Sequence, residues 1–262
     1  MKKGICIGSL PGQLSLEEKL RLAKDAGFDG VEFGTIEDMD EARATRDLVD
    51  RIGIEVPSIM ASKHWSHPLS SADPTVREVC VQNMRDSISC AKVLGADTVL
   101  LVPGVVNEET SYEEAYERSQ PEVATLATYA EDAGICIGIE NVWNKFLLSP
   151  VEFARYVDEI GSSCVQAYFD CGNILLYGYP EQWIRTLGAR IKKVHVKGFK
   201  TASRTFVYLL EGDINWAAVR DALAAVGYDD YITAELPVYP VCPEQTVYDT
   251  SAHLGRIING EC

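Results

Sequence analysis

Positive charge is scarce in this chain. Lys and Arg number 24 against 39 Asp and Glu, a formal net charge of −15. Such a surface repels nucleic acid and anionic membrane, so neither is an expected partner, although a local basic pocket could still take an anionic metabolite. No two of the eight cysteines form a CxxC pair, which removes zinc-ribbon and thioredoxin-type readings. Several cysteines sit in apolar segments, where the side chain acts as a small hydrophobe, and the expected compartment is reducing and cytoplasmic. The first dozen residues lack an apolar signal region and cleavage site. No apolar run is long enough to span a bilayer. No GxGxxG follows the first apolar run, which weighs against a Rossmann domain. No linker or low-complexity tract divides the 262 residues. Length alone would allow two small domains, but it suits one (β/α)8 barrel, which needs about 250 residues.

What is present is a repeating unit: an amphipathic helix, a Gly, a turn, and a short apolar run. It recurs at Ala26–Phe33, Leu94–Leu100, Ala133–Glu140 and Val226–Ile232. Gly just past a helix takes the left-handed position without a Cβ penalty. An apolar run without polar alternation is expected of a strand covered on both faces. Ser15 with Glu18, Ser111 with Glu114, and Ser149 with Glu152 each have capping-box spacing, and Pro150 adds a first-turn proline. Eight strands are predicted: Gly4–Gly8, Gly30–Phe33, Glu55–Ser62, Thr98–Pro103, Cys136–Glu140, Val165–Asp170, Lys192–Lys197 and Tyr231–Glu235. Helical segments follow each, that after the sixth being short. The alternation predicts a parallel α/β sheet, and eight units in this length predict a single (β/α)8 TIM barrel over residues 1–262.

Barrel chemistry sits where strands end. Four consecutive predicted strands carry an acid or imidazole in an otherwise apolar run: Glu140, Asp170, His195 and Glu235. Taken singly, each has a plainer reading: a solvated charge for a Glu, a turn-former for Asp170, a packing residue for His195. Together they form a set whose burial would cost several kcal/mol unless paired, and a shared cation would offset that cost. Three carboxylates and one imidazole suit Mn²⁺, Mg²⁺, Co²⁺ or Zn²⁺. Glu32, ending the second strand, reads as a supporting group. His64 and Trp65 follow the third strand and either wall a sugar pocket or sit in an exposed loop. Lys145, Lys197, Lys200 and Arg204 are candidates for a phosphate or a polarised oxygen, with Lys200 and Arg204 reading more simply as solvated. His67 and His253 read as surface groups, and Trp143 and Trp183 as packing groups.

In order along the chain, Ile139–Pro150, Tyr168–Asn173, Val194–Lys197, Glu211–Trp216 and Thr233–Glu235 resemble the xylose isomerase-like sugar phosphate isomerase/epimerase family, which is related to ketose 3-epimerases. That resemblance implies that Glu140, Asp170, His195 and Glu235 hold one divalent ion, often Mn²⁺. It further implies that Glu140 and Glu235 double as the acid/base pair. Two departures stand at substrate-facing positions: Asn173 where ketose 3-epimerases often have a nearby His, and Gly198 where many relatives have Asp. They bear on the identity of the sugar more than on the metal. The implied activity is proton transfer next to the carbonyl of a ketose or ketose phosphate, through a metal-stabilised enediolate. The alternatives are an inosose dehydratase-like lyase, an endonuclease IV-like phosphodiesterase, and a non-catalytic sugar-binding module. Four histidines and the acidic surface weigh against the phosphodiesterase. Self-association is compatible with the sequence, but no interface stripe marks it.

Overall fold

A computed structural model describes all residues, 1–262. In chain order the elements are β1 (Lys2–Cys6), α1 (Leu16–Asp25), β2 (Gly30–Gly34), α2 (Met39–Ile52), β3 (Ile59–Met60), α3 (Pro74–Leu94), β4 (Thr98–Leu101) and α4 (Tyr112–Ala133). There follow β5 (Cys136–Glu140), α5 (Pro150–Ile160), β6 (Val165–Asp170), α6 (Cys171–Ile174), α7 (Pro180–Leu187) and β7 (Ile191–Val196). A hairpin of β8 (Gly198–Lys200) and β9 (Thr205–Val207) precedes α8 (Trp216–Ala225), β10 (Tyr231–Ala234) and α9 (Pro243–Asn259). Eight parallel strands close in the order β1-β10-β7-β6-β5-β4-β3-β2. The fold is therefore the (β/α)8 barrel, with β10 as its eighth strand.

The local signals act as the residue types dictate. Ser15 and Ser111 form complete capping boxes with Glu18 and Glu114. Ser149 accepts from the Glu152 backbone, but that box is half formed, because the Glu152 carboxylate accepts from the Tyr112 hydroxyl of α4 instead. Gly27, Gly95, Gly134 and Gly227 all take positive φ at the ends of their helices.

Three elements differ from expectation. The third strand is only Ile59–Met60, with Glu55 making an isolated bridge to Gly30. Pro57 lies between them and has no N–H to give a ladder. The segment after β6 is a single turn, α6, and then a separate helix, α7. The β8–β9 hairpin was not anticipated at all. Its runs are three residues each, too short for periodicity to mark.

One irregularity sets the site. β6 and β7 pair as Ala167↔Ile191 and then Tyr168↔Lys193, so Lys192 is an extra residue on β7. After that bulge Asp170 lies opposite His195. Bulges re-aim side chains in this way beside functional sites. At the opposite end of the barrel the buried Lys193 is paired with Asp97 at 3.0 Å and Asp230 at 2.6 Å.

Candidate active site

Glu140 ends β5, Asp170 ends β6, His195 lies in β7, and Glu235 follows β10. One oxygen or nitrogen from each of these four lies within 4.8 Å of the others. Strand pairing alone would not hold the loops that begin there. The Asn141 side chain does so: its Oδ1 accepts from Asp170 N at 2.8 Å and its Nδ2 donates to Asp170 O at 2.8 Å. Asn173 completes the brace, donating from Nδ2 to Asn141 O at 2.9 Å and from its backbone N to Asp170 Oδ1 at 2.6 Å. Gly172 leaves room for Lys197, whose Cγ and carbonyl would meet an added Cβ at 2.4 and 2.9 Å.

The cluster holds more negative than positive charge. Lys197 Nζ donates to Glu235 and lies 3.1 Å from Asp170 Oδ2. That oxygen is buried, and the ammonium is not aligned to give it a hydrogen bond. Burial pushes Glu140 up from the ordinary carboxylate range, helped by the charges of Glu235 and Asp170 and opposed by His195. Burial also raises Asp170, against the pull of Lys197. Burial works against ionisation of Glu235 too, yet the charges of His195 and Lys197 hold it below the ordinary value. Two carboxylates in one site are thus pushed apart, which is the arrangement that separates an acid from a base.

The two ring nitrogens of His195 face different partners. Nδ1 is 3.0 Å from Glu140 Oε1, and Nε2 is 3.0 Å from Glu32 Oε1. Glu32 also accepts from Cys6 Sγ at 3.4 Å, from Ser58 Oγ at 2.5 Å and from the Tyr168 hydroxyl. Burial opposes ionisation of Glu32, but His195, Ser58 and Tyr168 together lower it to about 2. Burial likewise opposes protonation of His195, yet Tyr168 and Glu32 raise it well above its ordinary value. A carboxylate on the far nitrogen fixes the imidazole's orientation and strengthens it as a donor through the near one.

These donors fit a divalent cation. Nδ1 of His195 and three carboxylates supply nitrogen and hard oxygen, and Asp170 Oδ2 is a buried charged atom without a hydrogen bond. Cys6, Glu32 and His195 also lie close together, but their atoms are occupied with one another in the network just described.

A cavity of about 560 Å³ opens beside the cluster. Glu32, Lys197 and Glu235 line it, with Ile7, Phe33, Met60, Phe206 and Leu236 among its apolar walls. Of the substrate-contact candidates only Lys197 lines this cavity. His64 is 2% exposed and its Nδ1 accepts weakly from Val102 N at 3.4 Å. Trp65 is exposed and meets His64 edge-on. Lys145 is exposed, in a left-handed backbone conformation. Asn173 does not line the cavity, and its Nδ2 donates to Asn141 O. Lys200, ending β8, and Arg204, in the hairpin's turn, are exposed. Trp183 packs in the core, but Trp143 does not: it is 41% exposed, stacks on Phe206 at 4.6 Å, and donates from Nε1 to Asn173 O at 2.9 Å.

Sequence reasoning missed Asn141, Ser58, Tyr168, Trp143 and Phe206. The signal for Asn141 was its place after a ligand candidate, where an amide can bridge two strand ends. The others carried none, since their roles depend on which strands become neighbours. The departure at Gly198 also finds its cause. A Cβ there would stand 2.3 Å from Tyr208 O and 2.7 Å from Val207 O, so the hairpin folds back over a residue without a side chain. The Glu211–Trp216 motif supports the same region: Asp213 accepts from Thr201 N at 2.8 Å and Trp216 Nε1 donates to Leu209 O at 2.9 Å.

The chain belongs to the xylose isomerase-like TIM barrel family, whose profile matches residues 20–256. It is 28% identical over 236 residues to the L-ribulose-5-phosphate 3-epimerase UlaE of Salmonella typhi, covering 86% of this chain and 83% of that protein. Among solved structures, that of an L-ribulose 3-epimerase is 22% identical and superposes with a TM-score of 0.84 over 99% of this chain and 95% of that one. The IOLI protein, solved with a bound zinc atom, is 18% identical with a TM-score of 0.83 over 99% of both chains. At these identities the structural likeness shows the shared fold. No helix is long and apolar enough to cross a membrane.

Proposed function

We propose that this member of the xylose isomerase-like TIM-barrel family is a divalent-metal-dependent epimerase or isomerase that moves the proton next to the carbonyl of a ketose or ketose phosphate. One observation carries the proposal: donor atoms of Glu140, Asp170, His195 and Glu235 converge within 4.8 Å at the mouth of the barrel, beside a cavity that can take a small sugar. The kinship with ribulose and ribulose-phosphate 3-epimerases supports the same reaction class.

In this reading Glu140, Asp170, Glu235 and Nδ1 of His195 hold the ion, with Mn²⁺ preferred and Mg²⁺, Co²⁺ or Zn²⁺ compatible with the same donors. Bound there, a divalent cation supplies Lewis-acid stabilisation of the charge that develops on the substrate oxygens. The chain's own groups move the proton. Glu235 lines the cavity and is held ionised, so it serves as the base. Glu140 stands in the same cluster as Glu235 and is the partner that returns a proton. Lys197, already on Glu235, donates to a substrate oxygen. Asn173 acts through the Asn141 brace, and we assign no substrate contact to His64, Trp65 or Lys145. All eight cysteines are free thiols, which supports placing the enzyme in the reducing cytoplasm.

The test is a screen of ketoses and ketose phosphates in D₂O with added Mn²⁺, read by NMR. Deuterium should enter the carbon next to the carbonyl, with an epimer or isomer accumulating. Glu235→Gln should lose at least a thousandfold in kcat while still binding sugar. Near-native turnover in that variant would remove Glu235 from the chemistry. A dehydrated product in place of an epimer would select the lyase alternative.

A further inference from the structure

A second group of donors, different in kind, lies against the first. Cys6 Sγ, Glu32 Oε1 and His195 Nε2 form a triangle, 3.4 Å from sulfur to oxygen, 3.7 Å from sulfur to nitrogen and 3.0 Å from nitrogen to oxygen. All three residues are buried, and Cys6 and Glu32 line the cavity. Strand pairing sets Cys6 opposite Glu32, and His195 reaches both with its far nitrogen from β7, two places round the barrel from β1. The Ser58 and Tyr168 hydroxyls hold Glu32 Oε2, which leaves Oε1 for the triangle. A tetrahedral Zn²⁺, with bonds of about 2.3 Å to sulfur and about 2.1 Å to nitrogen and oxygen, spans edges of about 3.6 Å to the sulfur and about 3.4 Å between the other two. The three observed edges lie within about 0.4 Å of those lengths, and a fourth ligand, water, can come from the cavity.

Two protons hold this triangle together, one on Cys6 Sγ and one between His195 Nε2 and Glu32 Oε1. An ion that binds thiolate can take their place. With a neutral ring, the thiol proton leaves to solvent, and the Nε2 proton is replaced by one on Nδ1, where Glu140 Oε1 stands 3.0 Å away to accept it. One proton is released in all, no electron moves, and thiolate and carboxylate together neutralise the divalent charge. A thiolate in the set favours Zn²⁺ or Cd²⁺ over Mn²⁺ and Mg²⁺, which prefer oxygen. The tautomer has a consequence for the neighbouring cluster. Once Nδ1 carries the proton it has no lone pair for an ion held by Glu140, Asp170 and Glu235.

We propose that Cys6, Glu32 and His195 form a second, thiophilic cation site that takes Zn²⁺ or Cd²⁺, and that filling it draws His195 away from the four-donor cluster. The site stands on its own geometry; the exclusion rests on the four-donor reading. Cd²⁺ is the probe, titrated into the whole protein and followed by its ultraviolet thiolate charge-transfer band and by ¹¹³Cd NMR. One Cd²⁺ should bind with a one-sulfur resonance that couples to the Nε2 of a ¹⁵N-labelled histidine. Cys6→Ser should lose both band and resonance, whereas Cys242→Ser and Cys262→Ser, which alter the two exposed thiols, should keep them. Mn²⁺, its own binding followed by EPR, should weaken the apparent Cd²⁺ affinity about tenfold or more. A band that survives in folded Cys6→Ser protein would overturn the site. So would a resonance in the unaltered protein that couples to no Nε2, a result that needs no variant to fold. Mn²⁺ that binds by EPR yet leaves the Cd²⁺ affinity within twofold would overturn the exclusion. Mn²⁺ that fails to bind while the sulfur signal persists would sink the four-donor reading and leave the thiophilic site standing.

Discussion

Replacing Glu32 by Gln tests how far the site depends on a residue outside the four donors. Glu32 is 1% exposed. Its Oε1 accepts from His195 Nε2 and Cys6 Sγ, and its Oε2 from Ser58 Oγ and the Tyr168 hydroxyl. Gln has nearly the same volume, and its carbonyl can still accept from Nε2. Its amide would face two hydroxyls, which can turn to accept; Ser58 Oγ and the Tyr168 oxygen are already 3.1 Å apart and can bond each other. The packing therefore survives and the negative charge on the far side of the imidazole is lost. Removing such a partner typically weakens metal binding about 10–100-fold, which is about 1.4–2.7 kcal/mol. Mn²⁺ titration followed by calorimetry, with free ion counted by EPR, measures the change directly. Glu32→Ala is the contrasting case. It strands the imidazole and two hydroxyls in a buried space, and should destabilise the fold by about 3–5 kcal/mol in chemical denaturation. A folded Glu32→Gln protein that binds Mn²⁺ within twofold of the parent would refute the claim that this carboxylate tunes His195.

Two further outcomes follow from other parts of the mouth. Burial lowers His64 from 6.5 to about 4, so at pH 7 both folded and unfolded forms are neutral and its stabilising contribution is complete. As pH falls below 6.5 the unfolded chain binds a proton that the fold resists, and by pH 4 about 3 kcal/mol is lost. Denaturation of the parent and of His64→Gln at pH 7 and pH 4.5 should show the parent losing about 2–3 kcal/mol more than the variant; equal losses would mean that His64 is not held neutral. Gly198→Ala places a Cβ against the Tyr208 and Val207 carbonyls, which cannot yield as a side-chain tip can. We expect a loss of about 1–3 kcal/mol and, because Phe206 rides on the same hairpin, weaker sugar binding. A variant with unchanged stability and binding would show that the hairpin adapts freely.

What could be read from the chain, and what could not, divides along a physical line. The barrel was legible because signals carried within a few residues recur along the chain: three Ser–Glu caps, four Gly stops, and an apolar run for each strand. The four donors were legible for a related reason. Glu140, Asp170, His195 and Glu235 each break an apolar run at the same end of successive strands, and closure of the barrel necessarily gathers them. Residues whose meaning comes from lateral neighbours were not legible. Tyr168 looks like any strand aromatic until the bulge at Lys192 sets it opposite Lys193, with its ring near His195 and its hydroxyl on Glu32. Trp143 looks like a packing residue until a hairpin of two three-residue strands brings Phe206 against it. Gly198 looks like a lost acid until the Tyr208 carbonyl is found where its side chain would stand. The convergence of the four candidate donors is thus written in the repeat of strand and helix, whereas the shape of the pocket is written in the irregularities, a bulge and a short hairpin, that interrupt it. Barrels sharing the four donors should then differ in the sugar they accept wherever these interruptions differ, because the donors themselves leave the far end of the substrate untouched.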